Sequence, residues 1–238
     1  MNGVVVMLKL KWIGQGGYLI TLGSKTLCID PYFSNSVFEV EGLNRLIPAP
    51  ISPKDLEADM IITTHDHMDH FDEETLKYTN HDKILYAGPK SCMEHFKKIG
   101  IKEDKIIALD RNNKINLGET QITAVYADHT EDSIGVIVSY NNTNIYFVGD
   151  SLFNEKLLEV KTFEIDIIVV CINGKLGNMN YMEAAKLSKE LGVKIGIPTH
   201  YGMFAENTED PKKYEEELNG SGVHYLELEF NKEYDVQE

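Results

Sequence analysis

Apolar runs alternate with short polar turns along most of the chain, and this pattern predicts β-strands more often than helices. Residues 17–30 form an apolar run, a polar turn and a second apolar run that ends in Asp30, and residues 135–150 repeat this plan and end in Asp150. Both segments predict β-hairpins. Residues 1–12 predict a first strand, because this apolar start has neither the basic segment nor the cleavage site of a signal peptide.

Buried strands and amphipathic helices follow each of the two hairpins. In chain order, the predicted elements are strand 58–67, strand 83–88, helix 90–99, strand 165–174, helix 181–191, strand 193–200, a helix that begins at Asp210-Pro211, and strand 223–230. Asn180 is the expected N-cap of the helix over 181–191, and Gly192 is its expected C-cap.

Two β-rich halves with helices outside predict an α/β fold, a four-layer αββα sandwich formed by one domain over residues 1–238. The segment from Pro31 to Pro53 is the one long irregular stretch. Long loops in compact domains are often lids or binding loops, and the alternative is a surface excursion with a small apolar cluster of its own.

Composition narrows the classes of function. Of the 238 residues 42% are hydrophobic and 26% are charged, which provides for a core and argues against wholesale disorder. The formal charge of −15 argues against a nucleic-acid-binding surface, and no apolar run reaches the ~18–20 residues of a membrane span. The cysteines are odd in number and have apolar neighbours, which predicts reduced thiols and a cytoplasmic protein. They are Cys28, Cys92 and Cys171.

The segment T-T-H-D-H-M-D-H concentrates metal-binding side chains in the first half. It contains His65, His67, Asp69 and His70. Alternate residues of an extended segment point to the same side, which would place the first two histidines together. Such a density of imidazole and carboxylate is costly unless a cation lies between the groups. Neutral imidazoles and carboxylates suit Zn²⁺, Mn²⁺ or Fe²⁺.

Three further candidate ligands stand at strand ends in the second half. His129 follows a predicted strand, and Asp150 and His200 each end an apolar run. Functional residues are commonly placed where a strand meets a loop. A lone histidine at a strand end is more often a surface residue, but three such residues beside the first cluster favour a shared site. Asp30 ends the first hairpin directly before Pro31, and on local grounds it is a turn-forming residue.

The order H-x-H-x-D-H, then a histidine, then G-D, then a late histidine, resembles the metallo-β-lactamase superfamily of dinuclear metal hydrolases over nearly the whole chain. The resemblance implies two divalent ions, Zn or Mn with Fe as a third choice, and a hydroxide nucleophile held between them. One ion would bind His65, His67 and His129, and the other Asp69, His70 and His200. Asp150 would bridge both ions, Asp69 and Asp150 would be catalytic, and Asp30 would brace the histidine loop from outside the ligand set.

Two further segments, CINGKLGNMNYMEAAKL and IPTHYGMFAENTEDP, are similar to the L-ascorbate-6-phosphate lactonase-like branch of this superfamily, cytoplasmic enzymes that open a sugar-acid lactone. This similarity implies a small-molecule substrate, with no nucleic-acid or membrane partner, and is compatible with a homo-oligomer. A phosphorylated sugar acid needs hydrogen-bond donors. The candidate substrate contacts are Arg45, Lys90, Asn173, Lys175 and Tyr201.

Two alternative functions use the same ligands. The first is a phosphodiesterase that acts on a small phosphate ester. The second is a metal-binding or redox protein without turnover.

Overall fold

Two β-sheets face each other in the computed structural model, which describes residues 7–236. The predicted first strand begins within these residues, as β1 (Leu8–Gly14). The part of that prediction that falls on residues 1–6 lies outside the described chain.

The first sheet has seven strands within the described residues, in the order β14-β1-β2-β3-β4-β5-β6. Its strands are β1, β2 (Gly17–Leu22), β3 (Lys25–Ile29), β4 (Met60–Ile62), β5 (Leu85–Gly88), β6 (Ile106–Ala108) and β14 (Glu233–Asp235). Strands β14 to β3 pair antiparallel, and β3 to β6 pair parallel.

The second sheet repeats this plan over the described residues, in the order β13-β12-β11-β10-β9-β8-β7. Its strands are β7 (Lys114–Leu117), β8 (Thr120–Tyr126), β9 (Ile134–Tyr140), β10 (Thr143–Phe147), β11 (Ile167–Cys171), β12 (Ile195–Thr199) and β13 (His224–Tyr225). Both predicted hairpins are present, as β2–β3 and β9–β10. The second turns at Asn141 and Asn142 with φ of 47° and 61°, the left-handed pair that a two-residue hairpin turn requires.

Alternation along the strands divides the core into two layers. Leu27, Ile29 and Ile62 face the second sheet, whereas Cys28 and Ile61 belong to a separate cluster on the outer face of the first sheet. Because the inner faces of both sheets are apolar, they are buried against each other. This inner layer is the main core of the protein.

Helices cover the outer faces of the sheets and complete the predicted αββα sandwich. Within the described residues the α-helices are α1 (Ser36–Glu41), α2 (Glu73–Lys77), α3 (Lys90–Lys98), α4 (Tyr181–Leu191) and α5 (Pro211–Leu218), with short 3-10 segments at Pro53–Asp55, Glu103–Lys105 and Glu155–Phe163. Helix α3 contacts β5 and β6, α4 contacts β11, and α5 contacts β13. Asn180 and Glu183 form a reciprocal capping box at the start of α4, and Gly192 ends it in the left-handed conformation, as predicted. No helix in the described part of the chain has the length and apolar character to cross a membrane.

Two predicted strands are too long. The strand predicted over 58–67 ends at Ile62, because the backbone N–H of Thr64 donates to the Asp30 side chain instead of to a neighbouring strand. The strand predicted over 223–230 pairs only at His224–Tyr225. The chain then crosses to the first sheet, where the N–H of Asn231 donates to the carbonyl of Trp12 and β14 pairs with β1.

Candidate metal centre

The loop after β4 carries the first four candidate ligands and is fixed by the Asp30 carboxylate at the end of β3. Asp30 is 1% exposed. It accepts hydrogen bonds from the backbone N–H of Thr64 at 2.7 Å and from the Thr64 hydroxyl at 2.6 Å. His65 and His67 therefore lie on a turn, not on an extended strand as predicted.

Asp30 also orients two imidazole rings. His70 Nδ1–H donates to Asp30 Oδ2 at 2.7 Å. His65 Nδ1 lies 3.1 Å from Thr64 Oγ1, and because that hydroxyl gives its own proton to Asp30, the ring N–H is the donor. Both rings then turn Nε2 towards the site. Asp30 thus occupies the position that the resemblance gives to a bracing carboxylate.

The second sheet provides the other three candidate ligands at the ends of β8, β10 and β12. They are His129, Asp150 and His200. His129 Nε2 lies 3.1 Å from His67 Nδ1, and His200 Nε2 lies 3.4 Å from Asp69 Oδ2. His129 Nδ1–H donates to the carbonyl of Gly177 at 3.1 Å, which leaves Nε2 facing the cluster.

Asp150 lies at the centre of the cluster. Its Oδ1 is 3.3 Å from His70 Nε2, and its Oδ2 is 3.2 Å from His200 Nε2 and 3.8 Å from His129 Nε2. Asn178 Nδ2 donates to Asp150 Oδ2 at 2.9 Å. One carboxylate therefore reaches both the His129 side and the His200 side of the cluster.

The structure brings together all seven predicted ligands. They form three overlapping groups, and within each group the ligand atoms lie within 4.8 Å of one another. The first group is His65, His67 and His129, the second is His65, His70 and Asp150, and the third is Asp69, His70 and His200.

Burial and charge set the protonation of these groups. Burial lowers the pKa of His65 well below its ordinary value, so this ring is neutral. Burial alone would lower the pKa of His200, but the Asp150 carboxylate beside it raises that pKa to about 9. Burial would raise the pKa of Asp150, and His200 and His70 hold it well below the ordinary value. The centre thus contains ionised carboxylates that favour a cation.

The chemistry of these residues fits divalent metal ions. The Nε2 atom of His65 is buried and has no hydrogen-bond partner among the described residues. A buried polar nitrogen without a partner is costly, and a metal ion would use its lone pair. The donor set of imidazole nitrogens and carboxylate oxygens, without a thiolate, suits Zn²⁺, Mn²⁺ or Fe²⁺.

Asp30, beside the cluster, and His200, within it, have left-handed backbone conformations that non-glycine residues rarely adopt. Asp30 has φ of 43° and His200 has φ of 62°. Such conformations cost of order 1–3 kcal/mol and concentrate at functional sites, where the surrounding structure imposes them. Here each of them turns a strand-end side chain into the shared centre.

Sequence reasoning missed Gln15, which the β1–β2 turn places inside the centre. Its Nε2 donates to Asp69 Oδ2 at 2.7 Å and lies 3.1 Å from His200 Nε2. Its backbone carbonyl accepts from Trp12 Nε1 and from the Thr199 hydroxyl, both at 2.9 Å. The only signal in the sequence is a polar residue within a glycine-rich turn.

Arg111 was also missed as a positioning residue. Its guanidinium donates to the carbonyls of Ala127 and Ser133, each at 2.9 Å, on the two sides of His129. These bonds fix both ends of the loop that presents His129. Arg111 carries no signal in the sequence, because its acceptors, the carbonyls of Ala127, Ser133 and also Thr130, are backbone atoms distant in sequence.

A cavity of about 440 Å³ opens beside the cluster. It is lined by Val37, Glu41, Leu43, Asp66, His67, Met68, Asp69, His129, Asp150, Leu176, His200, Phe204 and Asn207. The segment between Pro31 and Pro53 forms one wall, because Val37, Glu41 and Leu43 all belong to it. Both interpretations of this segment hold in part, since it borders the site and also has an apolar cluster of its own with Met203 and Phe204.

The structure does not place the five predicted substrate contacts in the cavity lining. Arg45 donates to the carbonyls of Ser34 and Ile47, and Lys175 donates to the carbonyl of Glu206. The other three are also placed elsewhere: Lys90 is exposed at the start of α3, Tyr201 stacks on Trp12, and Asn173 donates to the Asn207 side chain behind the cavity.

A four-layer αββα sandwich with a histidine- and aspartate-rich cluster at its strand ends defines the metallo-β-lactamase class of fold. The chain belongs to the metallo-β-lactamase superfamily, because the family model described as Beta-lactamase superfamily domain matches residues 25–201. The superfamily predicted from the ligand order is thereby confirmed.

Similar proteins include metal-dependent hydrolases of archaea. The chain is 26% identical over 224 residues to the UPF0173 metal-dependent hydrolase of Hyperthermus butylicus, covering 88% of this chain and 91% of that one. It is 26% identical over 229 residues to that of Sulfurisphaera tokodaii, covering 94% and 97%. The fold matches a metallo hydrolase of Ignicoccus hospitalis with a TM-score of 0.79 at 16% identity, covering 98% of this chain and 99% of that one.

Proposed function

We propose that the chain is a hydrolase that uses two divalent cations to open a carboxylic ester, with a small lactone as the substrate. The observation that carries the proposal is the convergence of all seven predicted ligands around Asp150, together with the unpartnered Nε2 of His65. The names of the archaeal relatives support the same class of activity.

The distances support the division of ligands that the resemblance implies. His65, His67 and His129 would hold one ion, and Asp69, His70 and His200 the other. Asp150 would serve both ions, because its Oδ2 lies 3.8 Å from Nε2 of His129 on one side and 3.2 Å from Nε2 of His200 on the other. Zn²⁺ and Mn²⁺ are the first choices, and Fe²⁺ also suits these donors. Bound there, two divalent cations would lower the pKa of water towards ~7 and polarise the acyl group under attack.

The side chains of the protein have distinct tasks in this proposal. Asp30 and Thr64 keep the rings of His65 and His70 in the orientation that exposes Nε2. Asp69 lines the cavity and is held ionised by His70 and His200, although burial opposes this, so its carboxylate can accept a hydrogen bond from water and orient that water beside the ions. Gln15 holds the Asp69 carboxylate in place.

The cavity volume of about 440 Å³ is that of a small-molecule site, which supports a substrate of the size of a lactone. The cysteines are free and buried, which supports a reducing, cytoplasmic location. We retain one domain and no nucleic-acid or membrane partner as parts of the same proposal, which is compatible with a homo-oligomer.

Elemental analysis and a substrate panel test this function. The protein is stripped with a chelator and reloaded with Zn²⁺ or Mn²⁺, and its activity is measured on lactones, thioesters and phosphodiesters. We expect two ions per chain and the highest kcat/KM on lactones. Faster cleavage of a model diester would identify a phosphodiesterase instead. Full metal loading without turnover of any substrate would favour a metal-binding or redox protein.

A further inference from the structure

The cavity wall beyond the metal cluster is mostly apolar. Its apolar members are Val37, Leu43, Met68, Leu176 and Phe204. Leu176 is 70% exposed and stands at the mouth, whereas Phe204 is 1% exposed. Apolar surface of this kind favours an apolar substituent on the bound molecule.

Among the described residues, no lysine or arginine lines the cavity. Arg45 is the cationic residue closest in sequence to the lining residues Glu41 and Leu43. Its guanidinium donates to the Ser34 and Ile47 carbonyls and lies 4.9 Å from the ring centre of Tyr32. Arg45 therefore holds the cavity wall together. It does not present a charge to a ligand.

Two acidic side chains line the same cavity outside the predicted ligand set. Glu41 ends α1, and Asp66 lies between two of the histidines. Within residues 7–236 neither of them forms an ion pair. A substrate with a phosphate or a free carboxylate at this wall, away from the metal cluster, would meet two like charges and no lysine or arginine among the described residues, an arrangement that costs binding energy.

We propose that the substrate is an ester whose acyl group is apolar and carries no negative charge, and that Glu41 and Asp66 select against anionic substrates. This inference rests on the proposed hydrolase function and gives it a substrate class. It also argues against the phosphorylated sugar acid that the sequence similarity implies, because no lysine or arginine of the described residues lines the cavity to pair with that phosphate. A cationic acyl group is tolerated.

A matched series of 4-nitrophenyl esters tests the selection. The pentanoate is neutral, the glutarate hemi-ester is anionic, and the 4-(trimethylammonio)butanoate is cationic, and all three have the same leaving group. The rate without protein is subtracted from the rate with the metal-loaded protein for each ester, because the carboxylate of the glutarate hemi-ester also expels nitrophenolate by itself, with formation of the cyclic anhydride. We expect kcat/KM for the anionic ester to be at least ~10-fold below that of the other two. An anionic ester hydrolysed as well as the neutral one would overturn the inference and leave the hydrolase function intact.

Variants link the selection to the cavity wall. Glu41→Gln should raise kcat/KM for the anionic ester and lower it for the cationic one. Leu176→Lys, which places a cation at the mouth, should raise the anionic rate further. Glu119→Gln removes the same charge from an exposed turn outside the cavity and should not change kcat/KM for the anionic or the cationic ester. Equal effects of Glu41→Gln and Glu119→Gln would remove Glu41 from the selection.

Binding keeps the inference testable if no ester is turned over. In that case the hydrolase proposal fails, and pentanohydroxamic acid is compared with the hydroxamate of glutaric acid by calorimetry on metal-loaded protein. Weaker binding of the anionic compound, relieved by Glu41→Gln, supports the selection. Equal or tighter binding refutes it independently of catalysis.

Discussion

Replacement of Asp30 by asparagine tests the idea that one carboxylate orients the rings on both sides of the metal centre. Asparagine has nearly the same size and tolerates the left-handed backbone, φ of 43°, that this position requires. The wild-type carboxylate accepts three hydrogen bonds, two from Thr64 and one from His70. An amide has a single acceptor oxygen, so at least one of these donors would face an NH₂ group.

The structure sets the size of the effect. Loss of one hydrogen bond to a buried charged acceptor costs about 1.5–3 kcal/mol, which we expect as the loss in free energy of unfolding of the stripped variant. Removal of a group that orients a metal ligand costs about 10–100-fold in metal affinity. Because Asp30 acts on His70 directly and on His65 through the Thr64 hydroxyl, Asp30→Asn should weaken the binding of both ions.

Titration of the stripped protein with Co²⁺ against a competing chelator measures each binding step, and urea unfolding in EDTA measures the stability. Thr64→Val removes the hydroxyl that connects Asp30 to His65 and leaves the His70–Asp30 hydrogen bond in place, so it should lower the affinity of one binding step. Asp59→Asn is a matched control, because Asp59 also accepts hydrogen bonds, from Lys25 and Thr26, but lies outside the cluster. Wild-type affinity for both ions in Asp30→Asn would refute the orienting role.

Three further predictions concern the centre. Asp150→Asn should reduce kcat by more than the ~10–100-fold that is typical of residues which only orient a metal ligand, and its circular dichroism spectrum should be unchanged. Wild-type activity in this variant would exclude a bridging role. In protein stripped with EDTA, His200 has a pKa raised from 6.5 to about 9, so its stabilising contribution is complete below pH 6.5 and is lost as the pH rises through about 9. Urea midpoints should fall over this range, and a flat profile, or an equal fall in His200→Asn, would contradict the assignment. Gly177→Ala would place a Cβ 2.9 Å from His129 Nδ1 and should lower the affinity for one ion by roughly 10–100-fold. Gly222→Ala is the control, because Gly222 has a similar φ of 87° and open space around it, and this variant should keep the wild-type affinity. Elemental analysis after dialysis measures the metal that each variant retains.

The sequence predicted the elements that carry local signals. Helix α4 was predicted at its observed bounds because Asn180 and Gly192 mark both ends with capping chemistry. The β9–β10 hairpin was predicted from its asparagine pair for the same reason. The convergence of the candidate ligands followed from their order and from their positions at strand ends.

The errors arose where long-range contacts determine the structure. The strand after Ala58 ends early because the Asp30 side chain, distant in sequence, captures the Thr64 N–H. The substrate contact of Arg45 stays a prediction, and the sequence did not indicate the backbone carbonyls to which tertiary folding brings its guanidinium. Gln15 carries no ligand signature, and only the packing of the β1–β2 turn against the end of β12 brings its amide to Asp69.

Both sheets contribute to the centre, since the His65–His70 loop follows β4 of the first sheet, whereas Asp150 and His200 follow strands of the second. Ions bound here would therefore cross-link the two halves of the sandwich, in addition to the apolar contacts of the inner layer. Ligands that bind only the native state raise its stability with their free concentration. The lifetime of this protein in a cell would then depend on the supply of metal, so that metal starvation would remove the protein together with its activity.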